Sequence, residues 1–183
     1  MSLVLTIDPG PEQSAYMLFD PQAVSHPLVS LEHGIVPNVA LREKLRRSMV
    51  LEVATACVIE KIEHFGMPAG ASLFQTCIWI GRFIEAWHAD SFVLLPRREV
   101  KQHLCHSAKA NDATIRQALL DLYGGEKAAI GVNNKKVRAP GPLYGISKDV
   151  WSCLALGVTH AAHQGGQCAS CGWEKRATGT TVA

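Results

Sequence analysis

The sequence predicts an α/β domain in which a mixed five-stranded sheet is flanked by helices. Three short apolar runs near the N-terminus have connections too short for crossover helices, which is typical of an antiparallel meander. Two further apolar runs alternate with segments of helical periodicity, which is typical of parallel strands joined by helices. Strands and helices in this order indicate one mixed sheet with helices on its faces.

Each element is defined by its apolar pattern and by the residues that bound it. Strands are expected where a short apolar run lies between turn residues, at 3–7, 14–19, within 28–36, at 53–62 and at 91–95. Helices are expected at 38–49, 70–89, 99–104, 113–122 and 148–163. Asp8-Pro9-Gly10 ends the first strand, and Pro96 ends the fifth strand. Asn38 can cap the first helix, and Gly124-Gly125 ends the helix predicted at 113–122.

The C-terminal third contains two segments without a helical or strand pattern. Residues 125–147 are rich in Gly, Pro and Lys, and we expect them to form a long loop. Residues 165–183 follow the last predicted helix, and we expect a flexible tail there. The sequence thus predicts one domain over 1–164 and a C-terminal tail over 165–183.

Composition and charge limit the class of protein. The chain has 183 residues, 48% of them hydrophobic and 19% charged, which excludes an intrinsically disordered protein. The formal net charge is +2, but it is unevenly distributed. Residues 1–96 carry 6 Lys or Arg against 10 Asp or Glu, whereas residues 97–148 carry 10 against 4. A basic block after an acidic half predicts a polyanionic partner.

The sequence also predicts a location. No apolar run reaches the roughly 18 residues that span a bilayer, and the N-terminus lacks the basic segment of a signal peptide. We therefore expect a cytoplasmic protein with no membrane partner, in which the six cysteines are thiols rather than a disulfide framework.

Three carboxylates are candidate functional residues because of their positions in the predicted elements. Asp8 ends a buried strand, Glu60 lies near the end of the central strand, and Asp149 opens the last helix. Each has a structural explanation: Asp8 can start a turn, Asp149 can cap the helix, and a buried Glu60 needs a cation. Together the three carboxylates have a functional explanation, because two strand ends and a helix start can converge on one point.

Converging carboxylates predict a metal site. Anions in one cluster repel each other strongly unless divalent cations neutralise them, and hard oxygen ligands suit Mg²⁺, with Mn²⁺ as a substitute. Two such ions ~4 Å apart promote in-line displacement at phosphorus. With the basic block as a nucleic-acid surface, the residues predict a metal-dependent phosphodiesterase.

Four ordered motifs resemble those of RuvC-type Holliday junction resolvases, especially the RuvC-like proteins of phages and prophages, in the ribonuclease H-like superfamily. They are Leu5-Thr6-Ile7-Asp8-Pro9-Gly10, Val58-Ile59-Glu60-Lys61, Arg98-Glu99-Val100-Lys101-Gln102, and the segment 149–160, which reads Asp-Val-Trp-Ser-Cys-Leu-Ala-Leu-Gly-Val-Thr-His. The resemblance covers roughly residues 3–163. It implies a ribonuclease H-like fold and a homodimer.

The resemblance also implies an activity. It is that of a crossover junction endodeoxyribonuclease, a Mg²⁺-dependent enzyme of DNA recombination and repair that resolves four-way junctions in a bacterial or phage-infected cell. Asp8, Glu60 and Asp149 match the acidic positions of the family. The family usually carries a further acid where this chain has Ser152. Asp112 could compensate in principle, although its position suits a helix cap better.

Basic residues are candidates for binding DNA. Lys101, Lys109 and Arg116 lie where the resemblance places basic residues near the scissile phosphate, and Lys101 is the candidate for stabilising transition-state charge. Lys101 can equally belong to a solvated helix face. Lys135, Lys136 and Arg138 are expected to contact phosphates without reading sequence.

Two alternatives remain open from the sequence. A related nuclease could act on RNA or flap DNA, or the protein could bind junctions with weak or no catalysis, which Ser152 favours. A separate possibility is a zinc site formed from His160, His163, Cys168 and Cys171. The alternative is a flexible tail in which the cysteines are free thiols.

Overall fold

The central feature of the fold is one mixed sheet. The computed structural model describes residues 3–20, 30–47, 53–63, 66, 69–87, 92–133 and 138–164. The strands of the main sheet are β1 (Leu3–Asp8), β2 (Gln13–Phe19), β3 (Ser30–Pro37), β4 (Ala54–Lys61) and β5 (Phe92–Pro96), in the order β3-β2-β1-β4-β5. β2 is antiparallel to β1 and β3, whereas β4 is parallel to β1 and β5. The predicted mixed five-stranded sheet is confirmed.

Within the described residues, six helices accompany the sheet. They are α1 (Asn38–Arg47), α2 (Ala71–Ala86), α3 (Arg97–Cys105), α4 (Asp112–Leu122), α5 (Glu126–Ile130) and α6 (Val150–Gln164). α3 begins two residues earlier than the sequence predicts, because Pro96 is extended and the chain passes from β5 into the helix without a linker. Every other predicted helix is present with shifted ends.

The expectation of a structureless loop over 125–147 is wrong. This segment contains α5 and a small hairpin of β6 (Gly131–Asn133) and β7 (Arg138–Pro140). Gly131 has φ +89°, and a Cβ there would lie 2.0 Å from the carbonyl oxygen of Ala139, so only glycine fits. Ala129 and Leu143 are buried. Elements of three to five residues are too short to show a period, which explains the error.

The sheet is covered on both faces because side chains of β1 alternate between two cores. Leu5 and Ile7 belong to one core, which also contains side chains of α1 and α2. Val4 belongs to the other, which contains side chains of α3, α4 and α6. Thr6 is fully buried and its hydroxyl donates to the Met17 carbonyl at 3.2 Å. β1 is therefore the central strand, and its last residue lies at the edge of a two-sided core.

None of the described helices is both long enough and apolar enough to cross a bilayer. The predicted tail over 165–183 lies outside the described residues and stays a prediction, as does the boundary at 164.

Candidate active site

Strand register brings Asp8 and Glu60 together. β1 and β4 are parallel, with Thr6 beside Val58 and Ile7 beside Ile59. The next position of each strand is Asp8 and Glu60, and strand alternation directs both toward the core that contains α6. Glu60 is only 8% exposed and Asp8 is partly buried. Two carboxylates thus lie side by side where both parallel strands end.

Asp149 reaches the same site from the start of α6. It immediately precedes the helix, and its carbonyl oxygen accepts from the amides of Ser152 (3.0 Å) and Cys153 (3.3 Å). Cys153, Ala155 and Gly157 are buried, so small side chains let α6 pack closely on the sheet. The Asp149 side chain is exposed, unlike that of Glu60, and its charge is near enough to affect Asp8.

The carboxyl of Asp8 lies in an unfavourable place for a negative charge. Burial raises its pKa to about 7, and the charges of Glu60 and Asp149 add to the effect. A hydrogen bond from the Ser152 hydroxyl and the charge of Arg97 act in the opposite direction. The pKa of Glu60 is also raised by burial, against the lowering effect of Arg97. Burial therefore makes both carboxyls harder to ionise than they would be in water.

Arg97, the first residue of α3, makes direct contacts to this cluster. Its Nη1 lies 3.0 Å from Oε2 and 3.3 Å from Oε1 of Glu60. The same nitrogen is 3.4 Å from the Ser152 Oγ, and Nη2 donates a short hydrogen bond to Asp112. The Arg97 side chain is 31% exposed, whereas that of Asp112 is 80% exposed. Arg97 therefore bridges the buried carboxylate of Glu60 and the exposed carboxylate of Asp112.

The turn after Asp8 is held by polar side chains. The Asn38 amide nitrogen Nδ2 donates to the Gly10 carbonyl at 2.9 Å, and the Ser14 hydroxyl donates to Asn38 Oδ1 at 2.6 Å. The Gly10 amide in turn donates to Ser14 Oγ at 3.2 Å. A Cβ at Gly10 would lie 2.4 Å from the Gln13 carbonyl oxygen, so a side chain there would force the turn open. This network keeps Asp8 at a defined position.

The donor atoms match a hard divalent cation in type but limit how it is held. Carboxylate and hydroxyl oxygens suit Mg²⁺ or Mn²⁺. Within the described part of the chain, however, no three His, Cys, Asp or Glu side chains come close enough to hold one ion between them. Mg²⁺ is commonly held by one or two carboxylates with waters completing the shell. The site therefore fits an ion bound by two of the three acids at a time.

The fold has solved relatives. The structure of Thermus thermophilus RuvC superposes with a TM-score of 0.57 at 18% sequence identity, over 88% of this chain and 95% of that one. T. thermophilus RuvC in complex with a Holliday junction substrate gives a TM-score of 0.55 at 16% identity, over 91% and 97%. This chain has the RuvC fold. No protein-family model and no curated protein sequence matches it.

The predicted basic residues fall around the site of this RuvC-like fold in different ways. Lys101 lies one helical turn after Arg97, and its charge lowers the pKa of Glu60, so it is close to the acids. Lys109 is exposed. The Arg116 guanidinium lies 5.1 Å from the ring centre of Trp151, on α6, and 3.7 Å from Glu126. Arg138 begins β7, and Lys135 and Lys136 lie outside the described residues.

The predicted zinc ligands are only partly within the described chain. His160 and His163 lie on the buried side of α6, 5% and 4% exposed, whereas Cys168 and Cys171 are outside the described residues. His103 of α3 packs edge-on against His163, with ring centroids 5.9 Å apart. Burial and the neighbouring imidazoles lower the pKa of His163 to about 4, which keeps it neutral. The zinc site stays a prediction, tested by the zinc content of purified protein.

Sequence reasoning missed two members of the site. Arg97 counted only toward the basic block, although it follows Pro96, which pairs with Lys61 next to Glu60. Since ends of adjacent parallel strands meet at one edge, that position was a usable signal. Lys148 has a left-handed φ of 49° and lines a cavity of about 80 Å³ together with Arg97, Glu60 and Asp149. Asp112, expected to cap α4, contacts Arg97 instead, while Asn111 accepts from the Thr114 amide at 2.9 Å as the cap.

Proposed function

We propose that this protein is a structure-selective DNA endonuclease that resolves Holliday junctions by metal-dependent hydrolysis of phosphodiester bonds. The observation that carries the proposal is the pairing of Asp8 with Glu60 at the ends of two parallel strands, with Asp149 beside them. The RuvC fold of the chain supports the choice of branched DNA as the substrate, because one solved relative is bound to a Holliday junction.

The site residues are proposed to have three roles: metal binding, orientation of a ligand and stabilisation of charge in the transition state. Asp8, Glu60 and Asp149 are the proposed ligands of Mg²⁺, or of Mn²⁺ in its place, and a bound ion would supply Lewis-acid chemistry at the phosphate and an activated water. The Ser152 hydroxyl donates to Asp8 and so orients that carboxylate. Lys101 is the proposed source of positive charge for the pentavalent transition state, since its charge already reaches Glu60.

Duplex arms would lie across α3 and α4. Lys109 and Arg116 are exposed there and are proposed to contact phosphates. Arg138, at the start of β7, and Lys135 and Lys136, which lie outside the described residues, are proposed as further phosphate contacts. Such contacts position DNA without selecting a base sequence. The salt dependence of binding should therefore be steep, because each neutralised phosphate releases counterions.

A homodimer would place two sites on opposite strands. α2 exposes Phe74 and Ile78, which are 59% and 50% accessible and one helical turn apart. Neighbouring Trp79 and Phe83 on the same helix face the core. Large apolar residues repeated on the outer side of a helix are typical of an interface, so we propose α2 as the dimer contact.

A cleavage assay tests the function. Labelled four-way junction, flap, linear duplex and RNA substrates are incubated with wild-type protein and with Asp8→Asn, in Mg²⁺, in Mn²⁺ and in EDTA. We expect paired nicks in the junction only with a divalent ion and wild-type protein, leaving 5′-phosphate and 3′-hydroxyl ends. Equal cleavage by the Asp8→Asn variant contradicts the mechanism, and preferential cleavage of flap or RNA substrates identifies a related nuclease instead.

A junction-binding protein with weak or absent catalysis is the second candidate. The structure offers one observation in its favour: the Glu60 carboxylate is already occupied by Arg97, and Ser152 contributes no charge. Junction binding with no nicks in either Mg²⁺ or Mn²⁺ would establish this alternative.

A further inference from the structure

The most unusual feature of the site is a guanidinium where a nuclease of this kind would be expected to bind a metal ion. Arg97 contacts both carboxylate oxygens of Glu60, at 3.0 and 3.3 Å. It also reaches the Ser152 hydroxyl at 3.4 Å. One guanidinium nitrogen thus bridges a carboxylate of β4 and a hydroxyl of α6.

Two residues hold the guanidinium in this position. Asp112 on α4 accepts from Nη2, while Glu60 accepts from Nη1, so each terminal nitrogen is bound to a different carboxylate. An arginine held at both nitrogens keeps its position better than a solvated lysine, because its fork is planar and preorganised. The charge of Arg97 is also felt by Asp8, whose pKa it lowers.

We propose that Arg97 supplies a fixed positive charge in place of one of two divalent ions, so that the site binds a single ion on the side of Asp8 and Asp149. The inference rests on the proposed nuclease function and narrows its ligand set, because Glu60 would bind Arg97 rather than the ion. An ion ligated by Glu60 would lie within a few ångström of the guanidinium and would be repelled by it. Asp8 and Asp149 have no such contact with Arg97 among the hydrogen bonds of the described residues.

The arrangement of ligands agrees with a single ion. Glu60 already has the Arg97 guanidinium as its ion-pair partner, which leaves Asp8 and Asp149 as the acids available to a divalent cation. Arg97 also lines the cavity of about 80 Å³ that Lys148 and Asp149 border. Its charge is therefore open to a phosphate oxygen entering that cavity, and Arg97 would contact the substrate as a catalytic residue.

Metal binding can be measured without DNA. Mn²⁺ is titrated into wild-type protein, Arg97→Gln, Arg97→Lys and Arg98→Gln, with stoichiometry and affinity read by calorimetry and by the electron paramagnetic resonance of free Mn²⁺. Arg98 is the matched control, because it is the next residue of α3 and is exposed. We expect one ion per chain in wild type, Arg97→Lys and Arg98→Gln, and a second ion in Arg97→Gln, because Glu60 is released.

Each outcome decides the proposal. Two ions per chain in wild type overturn it, and so does an unchanged titration of a folded Arg97→Gln variant or the absence of Mn²⁺ binding in wild type. The wild-type count decides alone if Arg97→Gln does not fold. In the junction assay, Arg97→Gln should lower the cleavage rate at saturating DNA at least 100-fold, whereas Arg47→Gln, at an exposed arginine of α1 outside the basic block, should not. Failure of wild type to cut any substrate refutes the nuclease function but leaves the Mn²⁺ count to decide the role of Arg97.

Discussion

The electrostatics of Asp8 predict that removing its charge stabilises the protein. The pKa of Asp8 rises from 3.8 to about 7 in the fold, because of burial and the charges of Glu60 and Asp149. One pKa unit corresponds to ~1.4 kcal/mol, so the ionised carboxyl lowers the free energy of unfolding by up to ~4 kcal/mol at pH 8. Asp8→Asn removes that penalty while its side-chain oxygen still accepts from Ser152. We expect a gain of about 2–4 kcal/mol at pH 8 in the absence of divalent ions.

The sign of the effect gives a test in pH. Between pH 3.8 and about 7 the folded state holds a proton on Asp8 that the unfolded chain releases, so wild-type stability falls as the pH rises through this range. Asp8→Asn lacks this loss. The stability difference should therefore be small near pH 4 and complete above pH 7. Urea unfolding followed by far-ultraviolet circular dichroism, with EDTA present, measures it at both ends.

A control variant and a ligand separate charge from packing. Asp149→Asn changes an exposed carboxylate and should alter the free energy of unfolding by no more than about 0.5 kcal/mol at either pH. Millimolar Mg²⁺ should stabilise wild type by binding the folded state and should have little effect on Asp8→Asn. The reasoning is refuted if Asp8→Asn is no more stable than wild type at pH 8, or if its gain is the same at pH 4.

Three further predictions concern packing, the turn and the interface. Phe83→Ala opens a cavity at a fully buried position and should cost about 3–5 kcal/mol in urea unfolding, whereas the exposed Phe74→Ala should cost little. Asn38→Ala removes the hydrogen bonds to the turn after the first strand. It should lower the free energy of unfolding by about 2–3 kcal/mol and lower the cleavage rate at saturating DNA. If both values are unchanged, the turn does not depend on Asn38. Phe74→Glu combined with Ile78→Glu should convert a dimer to monomers in sedimentation velocity while the fold persists, and an unaltered dimer would exclude α2 as the interface.

Much of the fold could be predicted because its central strands are buried on both faces. Such strands contain continuous apolar runs, and β1 and β4 are recognisable in the sequence for that reason. Asp8, the last residue of β1, and Glu60, the next-to-last residue of β4, stand out because carboxylates are rarely buried without a partner. The prediction for the segment 125–147 was wrong for the opposite reason. Its helix and hairpin are too short to produce a period, and their stability comes from packing of Ala129 and Leu143 that no local pattern reveals.

The placement of the acids depends on register, which sequence patterns leave undetermined. Asp8 lies beside Glu60 only because Ile7 pairs with Ile59. Both isoleucines are fully buried toward α1 and α2, so a slip of one residue would turn the apolar side chains of one strand to the wrong face and move Glu60 away from Asp8. The hydrophobic core therefore sets the geometry of the charged site.

Arg97 depends on the same register, through the neighbouring strand. Pro96 pairs with Lys61, the residue after Glu60, and α3 begins immediately after it, so the first helical side chain meets the end of β4. A linker of even a few residues between β5 and α3 would carry the guanidinium away from Glu60. The early start of α3, which sequence periodicity misses by two residues, is thus the feature that places the Arg97 guanidinium against Glu60.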